Sequence, residues 1–424
     1  MFLAILLSVI ITILFGGLIK YHFDGGQKYK LLRKMSLLVA QFPMTINKMI
    51  RSKSLNPSKP PILKKHKNKK RFEQFIQNKR DSLLVLPRYD HAFGKPVVDV
   101  ISLINFEKIH TYKQEVSSKT GNKIKNFEYY HPLILDDGSL ISEGTNTPLF
   151  KIDVNSNLKW INDEVVFHHS KILDHENNIW IPGRLKSYSK YVREFQYPIK
   201  DFRDDAIIKI NSEGKILFKK SVIEILIENK KGDMINKLKK TVTDPIHLNC
   251  IEPAFVDTEY WKKGDLFLSL KHHSAIVLFR PSTNKVINYI TGPFAQQHDV
   301  DIISEKEISI FNNNNFFLEN ENSEVLIYNF QTNKFKKIFK EQLQRENFKT
   351  YSSGMSQLLS DGALMVEEEN HGRIILFNKM GQKEWEFVNK DENEHIGEVN
   401  WSRIIEDKSF IQKFRSLVEN KKSL

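Results

Sequence analysis

Short runs of alternating apolar and polar residues recur along this chain from about residue 81 to its end. In each copy two such runs flank a turn that contains Asn, Asp or Gly, and this is the pattern of a β-hairpin. Six copies are visible, at residues 97–112, 149–160, 206–218, 275–289, 325–339 and 374–385. Most copies follow a further short strand that begins after a polar turn, as at residues 135–142. The pattern predicts β structure throughout this region.

The spacing of the copies predicts the fold class. Residues 81–424 allow about 57 residues per copy, slightly above the usual length of a four-stranded propeller blade. We therefore predict an all-β fold, a six-bladed β-propeller, with a β-sandwich or two unrelated β domains as the alternative. Closure of the ring requires the last strand, at about 400–405, to pair with residues 83–87 so that no edge is left bare. A helix at about 410–417 would then pack outside.

The first 80 residues differ from the rest in composition. Residues 2–19 contain no charged side chain, which places them at the short end of transmembrane-helix length. No basic residue precedes them and no clear Ala-x-Ala site follows, which favours an uncleaved anchor over a signal peptide. The prediction is a membrane-anchored protein with a transmembrane helix at 1–20, a basic helical neck at 21–80 and a propeller at 81–424.

The formal charge of +13 is concentrated in the neck. Residues 1–80 contain 17 Lys and Arg against two acidic residues, a net charge of +15, which leaves −2 for the remainder. Apolar residues at helical spacing between Leu31 and Met49 predict an amphipathic helix on an anionic bilayer, with a disordered basic tether as the alternative. The near-neutral propeller has no basic groove with interleaved aromatic residues, so we expect no nucleic-acid partner.

Polar clusters recur at a similar place in the repeated strand pattern. They contain His168 and His169, then His247 and Asn249, then Lys271, His272 and His273, and finally Gln297, His298 and Asp299. Histidines at one phase of a propeller can converge on its axis, although structural histidines in blade turns are the alternative. Adjacent strand residues face opposite ways, so only one of His168 and His169 is expected to face the axis. No His-Glu-x-x-His or Cys-x-x-Cys motif is present, and we expect no metal.

In their order and spacing, these clusters resemble the bacterial aryl sulfotransferase family, whose members use an aryl sulfate ester as donor. The matching elements are Arg88-Tyr89-Asp90-His91, His168-His169, His247-Leu248-Asn249, Lys271, the stretch from Gly292 to Asp299, and Asn312-Asn313. The resemblance covers about residues 82–405. It implies a six-bladed propeller that moves a sulfuryl group to a phenolic or other hydroxyl acceptor through a covalent histidine, without a cofactor.

The resemblance also implies roles for individual residues. His298 would be the nucleophile, with His247 and one of the His168–His169 pair in support, and Lys271 stands where the family has an arginine. Asn249, Asp299 and Gln297 would contribute to substrate binding. Neutral imidazole is a competent nucleophile, and donors aimed at the sulfuryl oxygens would stabilise the transition state, as in phosphoryl transfer.

The chain departs from the family pattern in ways that concern substrate and location. A lysine is a point charge and cannot hold two oxygens as an arginine fork does. A propeller that binds an anionic ligand, such as a sulfated glycan, or a protein partner without chemistry is therefore the alternative function. Because aryl sulfates reach the periplasm without transport, the resemblance favours a periplasmic propeller on the inner membrane. The basic flank at 20–34 favours the cytoplasmic side instead.

Overall fold

The computed structural model describes residues 2–23, 65–77, 80–90, 92–113, 129–144, 148–194, 202–232, 235, 243–314, 322–350 and 352–422. The chain divides into two units, Met1–Pro61 and Ile62–Leu424. In the first unit the described element is a helix, α1 (Phe2–Phe23). The predicted amphipathic helix between Leu31 and Met49, and His91 of the opening motif, lie outside the described residues.

The predicted membrane anchor is not supported. No helix among the described residues is long and apolar enough to cross a membrane. The prediction of a membrane-anchored, periplasmic propeller is therefore wrong on this finding, and that of a transmembrane helix is not confirmed.

The second unit is a six-bladed all-β propeller, as the repeat predicts. Blade 1 contains β2 (Leu83–Asp90), β3 (Lys95–Ser102) and β4 (Lys108–Tyr112), and blade 2 contains β5 (Tyr130–Ile134), β6 (Leu140–Glu143), β7 (Leu149–Ile152) and β8 (Leu158–Asn162). Blade 3 contains β9 (Val166–Phe167), β10 (Ile172–Leu173), β11 (Ile179–Arg184), β12 (Asp205–Ile210) and β13 (Ile216–Ser221). Blade 4 contains β14 (Leu248–Pro253), β15 (Leu266–Leu270), β16 (Ala275–Arg280) and β17 (Lys285–Thr291).

The remaining blades follow the same antiparallel order. Blade 5 contains β18 (Val300–Ser304), β19 (Glu307–Asn312), β20 (Glu324–Asn329) and β21 (Lys334–Ile338). Blade 6 contains β22 (Met355–Leu358), β23 (Leu364–Glu368), β24 (Arg373–Phe377) and β25 (Lys383–Val388). Each of the six hairpin copies found in the sequence forms the third and fourth strands of one blade, counted from the channel, for example β16 and β17 in blade 4.

The ring closes as predicted. The last strand, β26 (Arg403–Ile405), pairs with β2 so that Ile405 lies opposite Leu83 and Arg403 opposite Val85. The C-terminal segment thus supplies the innermost strand of blade 1, which removes the open edge that a propeller must avoid. The predicted outer helix also forms, as part of the C-terminal helix Lys408–Lys422, and its Ile411 and Phe414 are buried against blades 1 and 2.

A short strand from the basic segment extends blade 6. Strand β1 (Phe72–Gln74) pairs with β25, with Phe72 opposite Phe387. Its Phe72 ring lies 4.4 Å from the ring of Phe106, centroid to centroid. Blade 6 therefore has five strands, the outermost of which comes from the stretch assigned to the neck by sequence.

The core lies between the blades. Six apolar clusters are formed by the described residues, and each joins two neighbouring blades; Leu268 and Val277 of blade 4, for example, pack with Ile207 of blade 3. Because both faces of a blade are covered, central strands such as β16 are apolar at nearly every position. Short helices cover the outside: α2 (Lys190–Glu194), α3 (Val222–Glu228) and α4 (Lys340–Arg345), with the C-terminal helix as α5.

Candidate active site

A cavity of about 400 Å³ lies where innermost strands begin and second strands end, at one end of the propeller channel. Its lining includes residues from blades 2, 3, 4, 5 and 6 and from the loop before β26. These are Tyr130, His131, Glu143, Gly144, Val166, Phe167, His168, His169, Arg184, His247, Lys271, His298, Ser352, Ser353, Glu369, Asn370, Glu398 and Trp401. Five imidazoles thus meet in one space. Four of them, those of His168, His169, His247 and His298, belong to the polar clusters of the sequence, whereas His131 does not, and His272 and His273 of the clusters are absent from the lining.

The backbone is left-handed at the entrance to several innermost strands. The positive φ angles are +41° at His131, +62° at His169, +54° at His247, +53° at Gln296 and +64° at Trp401. Non-glycine residues rarely adopt this conformation, and each instance costs on the order of 1–3 kcal/mol unless the surroundings enforce it. The recurrence of this strain at one end of the propeller, around the cavity, is typical of a functional site.

Both His168 and His169 face the cavity, and the expectation that only one would do so is wrong. Strand β9 ends at Phe167, so the two histidines lie beyond the extended backbone on which the alternation rule depends. The left-handed φ of His169 turns its side chain to the side of its neighbour. The two Nδ1 atoms lie 2.7 Å apart, which is a hydrogen bond between the imidazoles.

His298 is held by an asparagine whose orientation is fixed. The Asn313 side-chain NH₂ donates to the carbonyls of Thr350 at 3.0 Å and Ser353 at 2.8 Å. Its Oδ1 therefore faces His298 Nδ1, at 2.6 Å, and can only accept. The proton of the neutral ring must lie on Nδ1, which leaves the lone pair on Nε2.

The electrostatics keep His298 neutral. Burial, followed by the nearby Lys271 ammonium, holds the pKa of His298 well below its ordinary value, although the hydrogen bond to Asn313 opposes the shift. His298 is 2 % exposed. A buried, neutral imidazole with a defined lone pair is the form that acts as a nucleophile.

His247 is held by a carboxylate. Its Nδ1 lies 2.7 Å from Asp244 Oδ2, and the same oxygen accepts from Arg203 at 2.8 Å. Burial lowers the pKa of His247 to about 4 despite the carboxylate, so the ring is neutral at pH 7 with its proton on Nδ1. The ring centroid of His247 lies 5.5 Å from that of His169.

One group of described residues has the composition of a metal site: Asp244, His247 and His272, whose ligand atoms lie within 4.8 Å of one another. Hydrogen bonds account for their contacts, however. The aspartate accepts from His247, and its backbone carbonyl accepts from His272 Nδ1 at 2.6 Å. The geometry is that of hydrogen-bonded imidazoles around one aspartate.

Lys271 supplies a cation to the cavity. It follows β15 in a 3₁₀ turn at Lys271–His273, and its Nζ donates to the Ser352 carbonyl at 3.4 Å. Burial lowers the pKa of Lys271 to about 8, with Asp244 and Glu369 opposing the shift. The ammonium is therefore charged at neutral pH and close to losing its proton above it.

Three other residues predicted to bind substrate do not line the cavity. The Asn249 side chain donates to the Gln297 carbonyl at 3.1 Å, and the Gln297 side chain donates to the Ala275 carbonyl at 2.9 Å. Burial, Asp301 and Glu252 raise the pKa of the Asp299 carboxyl well above its ordinary value, while Arg403 and a hydrogen bond with Cys250 oppose the shift. In this structure these side chains join blades 4 and 5 behind His298.

Sequence comparison of the polar clusters missed several residues of the cavity. His131 and Trp401 stack at 3.8 Å between ring centroids, and Arg184, Glu369 and Glu398 also line the space. The position of each residue within its blade could have identified these cavity residues from the sequence. His131 and Trp401 stand at the starts of innermost strands, and Arg184 and Glu369 at the ends of second or third strands, the phase that the predicted histidines also occupy.

The fold and the cavity define a class: a six-bladed propeller with neutral, oriented imidazoles and one lysine at the end of its channel. The model of the arylsulfotransferase (ASST) family matches residues 139–390, which is more than half of the chain. The chain therefore belongs to the arylsulfotransferase (ASST) family, and its function is in general terms that of a sulfotransferase-like enzyme. No curated protein matches it.

Solved structures share the fold at low sequence identity. A protein of unknown function from Bacteroides caccae is 10% identical, with a TM-score of 0.50, and the match covers 77% of this chain and 100% of that one. The virginiamycin B lyase of Staphylococcus aureus, in a catalytically inactive form with quinupristin, is 12% identical with a TM-score of 0.40, over 80% and 89% of the two chains. Likeness at these identities concerns the fold alone.

Proposed function

We propose that this protein transfers a sulfuryl group from an aryl sulfate ester to a phenolic or other hydroxyl acceptor, through a covalent intermediate on His298. The observation that supports it most is the fixed tautomer of this histidine. Asn313, held by two backbone carbonyls, accepts from Nδ1 and leaves the Nε2 lone pair for attack on sulfur. A residue that served only to bind an anion would need an N–H on the cavity side.

In the first half-reaction, His298 Nε2 forms a bond to the sulfur of the donor as the bond from sulfur to the aryl oxygen breaks. The aryl oxygen leaves with the electron pair of that bond. The His298 ring gains positive charge, which the hydrogen bond from Nδ1 to Asn313 stabilises. The Lys271 ammonium lies in the same cavity and attracts the negative sulfuryl oxygens.

In the second half-reaction, the oxygen of the acceptor forms a bond to sulfur as the bond from sulfur to Nε2 breaks, and the electron pair returns to His298. The acceptor must lose its hydroxyl proton in this step. Imidazoles that are neutral at pH 7 and lie within the same cavity, such as His169 and His247, are suitable bases.

The test is a search for the covalent intermediate. The purified protein is incubated with 4-nitrophenyl sulfate, digested and analysed by mass spectrometry. We expect a sulfuryl adduct on the peptide that contains His298, which disappears when a phenol is added as acceptor. Binding of the ester without an adduct, and without release of 4-nitrophenol, would instead support a propeller that binds anions without chemistry.

A further inference from the structure

Behind His169 lies a chain of polar groups that leads to a buried carboxylate. His169 Nδ1 lies 2.7 Å from His168 Nδ1, and His168 Nε2 lies 3.5 Å from Asp205 Oδ1. Within the described residues, these last two atoms are buried and have no hydrogen-bond partner. Arg184 Nε also lies 3.5 Å from Asp205 Oδ1, so His168 and Arg184 approach the same carboxylate oxygen, each at a separation slightly longer than that of a formed hydrogen bond.

The Asp205 carboxylate determines which nitrogen of His168 and of His169 carries a proton. Asp205 can only accept when ionised, so the favourable tautomer of His168 has its proton on Nε2 and a lone pair on Nδ1. That lone pair must accept from His169, whose proton is therefore on Nδ1. The remaining lone pair of His169 is on Nε2, the nitrogen on the side of the ring away from His168.

A sulfuryl group is poorly matched to this resting state. Its oxygens only accept hydrogen bonds, whereas His169 presents a lone pair on Nε2, and so does His247, whose Nδ1 proton is donated to Asp244. Lone pair and sulfuryl oxygen repel unless a proton is added between them. Binding of the donor should therefore bring a proton into the cavity.

We propose, on the basis of the sulfotransferase function above, that the donor ester binds with uptake of one proton by the His168–His169 pair. In this proposal Asp205 is a positioning residue that acts through His168 and stabilises the protonated pair. His169 then gives this proton from Nε2 to the leaving aryl oxygen, and takes one from the acceptor hydroxyl in the second half-reaction. One proton is thus taken up from solvent when the donor binds, and one is returned to solvent after the acceptor has reacted.

The two candidate bases differ in the charged groups around them. Burial lowers the pKa of His247 to about 4 and the Lys271 ammonium adds to this, although Asp244 opposes the shift. Burial holds the pKa of His169 well below its ordinary value, and a positive charge on His168, His247, His131 or His298 would lower it further.

On the side away from the cavity, the carboxylates near His168 favour a proton on the His168–His169 pair. Burial lowers the pKa of His168 and Arg184 adds to this, whereas Asp205 and the more distant Asp244 raise it. A positive charge on the pair therefore faces two carboxylates and one guanidinium on the His168 side, and uncharged rings on the His169 side.

The proton count can be measured without turnover. Phenylmethanesulfonate has a CH₂ group where phenyl sulfate has the ester oxygen, so it presents the same anion but cannot transfer it. Titration calorimetry at pH 7 in buffers of different ionisation enthalpy gives the number of protons bound with this ligand. We expect uptake of about one proton in the native protein, and an affinity that falls as the pH rises, by up to about tenfold per pH unit.

Asp205→Asn is the informative variant because the surrounding donors constrain how the new amide is oriented. The Leu248 backbone N–H donates to Asp205 Oδ2 at 2.8 Å, whereas Arg184 Nε lies 3.5 Å from Oδ1, so the closer donor keeps the amide oxygen at the Oδ2 position and the NH₂ group faces His168. The NH₂ group donates to His168 Nε2, which reverses both tautomers and places a proton on His169 Nε2. We expect little proton uptake by this variant, and nitrogen NMR should show His169 Nε2 unprotonated in the native protein and protonated in the variant.

In Asp205→Asn, the loss in the rate of adduct formation should depend on how much the leaving group of the donor needs a proton. Adduct formation from phenyl sulfate, whose leaving oxygen needs a proton, should fall by about 10²- to 10⁴-fold, the range for loss of a general acid. Adduct formation from 4-nitrophenyl sulfate, whose phenolate is stable, should fall far less. Asp204→Asn is the matched control, because the adjacent buried Asp204 bonds Ser189 and Ser221 instead.

Each outcome bears on one of the two proposals. A native protein that binds the sulfonate with no buffer-dependent enthalpy, or that has His169 Nε2 protonated at rest, would overturn the proton uptake even if the His298 adduct forms. Absence of the adduct together with measured proton uptake would overturn the covalent mechanism alone. Absence of both binding and adduct would overturn both proposals.

Discussion

Two regions of the propeller contain buried charged and polar side chains, and they differ in how these groups are paired. On blade 6, Glu368 contacts Lys65 and lies 2.7 Å from His66 Nε2, while Glu386 lies 2.7 Å from Lys69 and 2.9 Å from Arg373. Around the cavity the complementary groups lie farther apart: His168 Nε2 and Arg184 Nε each lie 3.5 Å from Asp205 Oδ1. His131 Nδ1, in the lining of the cavity, is buried without a hydrogen-bond partner within the described residues.

The difference distinguishes a structural network from a binding site. A buried polar group without a partner costs about 1–3 kcal/mol, so a protein retains it only where something else provides the partner. On blade 6 several of the partners come from the basic segment at 65–80, and part of its positive charge therefore has a structural use. For groups that line the cavity, such as His131 and Arg184, we propose that the partner is the substrate.

His298→Ala should have the largest effect and should separate the two regions. We expect aryl sulfate cleavage to fall below detection because the atom that forms the bond to sulfur is removed, while thermal unfolding stays close to that of the native protein. The matched control is His66→Ala, another buried histidine, which is 5 % exposed. That variant should retain cleavage and unfold at a lower temperature. Normal turnover by His298→Ala would exclude it as the nucleophile.

Lys271→Ala should have the next largest effect. Loss of one donor to the oxygens of a transition state typically costs about 10²- to 10³-fold in kcat, or about 2.7–4 kcal/mol. We expect a loss of this size in the rate of adduct formation, with the stability of the propeller nearly unchanged. Lys69→Ala is the control, since that cation bonds Glu386 outside the cavity. Unchanged kinetics in Lys271→Ala would place this lysine outside the reaction.

The fold could be predicted from sequence because it depends on a local pattern repeated six times. Each hairpin copy pairs strands that are close in sequence, and turns such as Asn284, with φ of +54°, are visible as single residues. Ring closure by β26 was also predictable, since an open propeller would expose a strand edge. The pairing of β1 with β25 was not, because it joins residues that lie far apart in the chain through three residue pairs.

The cavity was predictable only in part, for a physical reason. Recurrence at one phase identified His168, His169, His247, Lys271 and His298, since residues at one phase lie at one end of the channel. The direction of each side chain depends on local backbone geometry, and the left-handed φ of His169 reversed the rule for extended strands. The supporting groups Asp205 and Asn313 act through tautomers, which depend on contacts between blades rather than on any motif.

Removal of the N-terminal segment should test how much the ion pairs on blade 6 contribute to stability. The sequence predicts that the propeller folds without residues 1–80, and this stays a prediction. The contacts of residues 65–77 lead us to expect two different outcomes. A chain that begins at residue 62 should unfold like the full chain. A chain that begins at residue 81 should fold but lose about 1–3 kcal/mol, because Glu368 loses Lys65 and His66 and Glu386 loses Lys69, while both keep Arg373 nearby.

Denaturant unfolding of the two truncated chains, followed by fluorescence, measures this difference. Glu368→Gln in the shorter chain is the control, since it removes the carboxylate from which the truncation takes Lys65 and His66 and should recover part of the loss. Both chains should retain aryl sulfate cleavage, because no described residue of the segment lines the cavity. Equal stability of the two chains would show that the ion pairs on blade 6 contribute little.

The pH dependence of donor cleavage should show the smallest effect. It tests whether the charge of Lys271 in the cavity contributes to the reaction. Burial lowers the pKa of Lys271 to about 8, so its positive charge is present below this pH and is lost above it. Cleavage should therefore decline as the pH rises through about 8, by up to about tenfold per unit. An arginine stays charged throughout this range and can hold two sulfuryl oxygens at once, so Lys271→Arg should preserve or raise activity and move the decline to higher pH. A decline at the same pH in both proteins would show that another group titrates there, and that the charge of Lys271 does not limit the reaction.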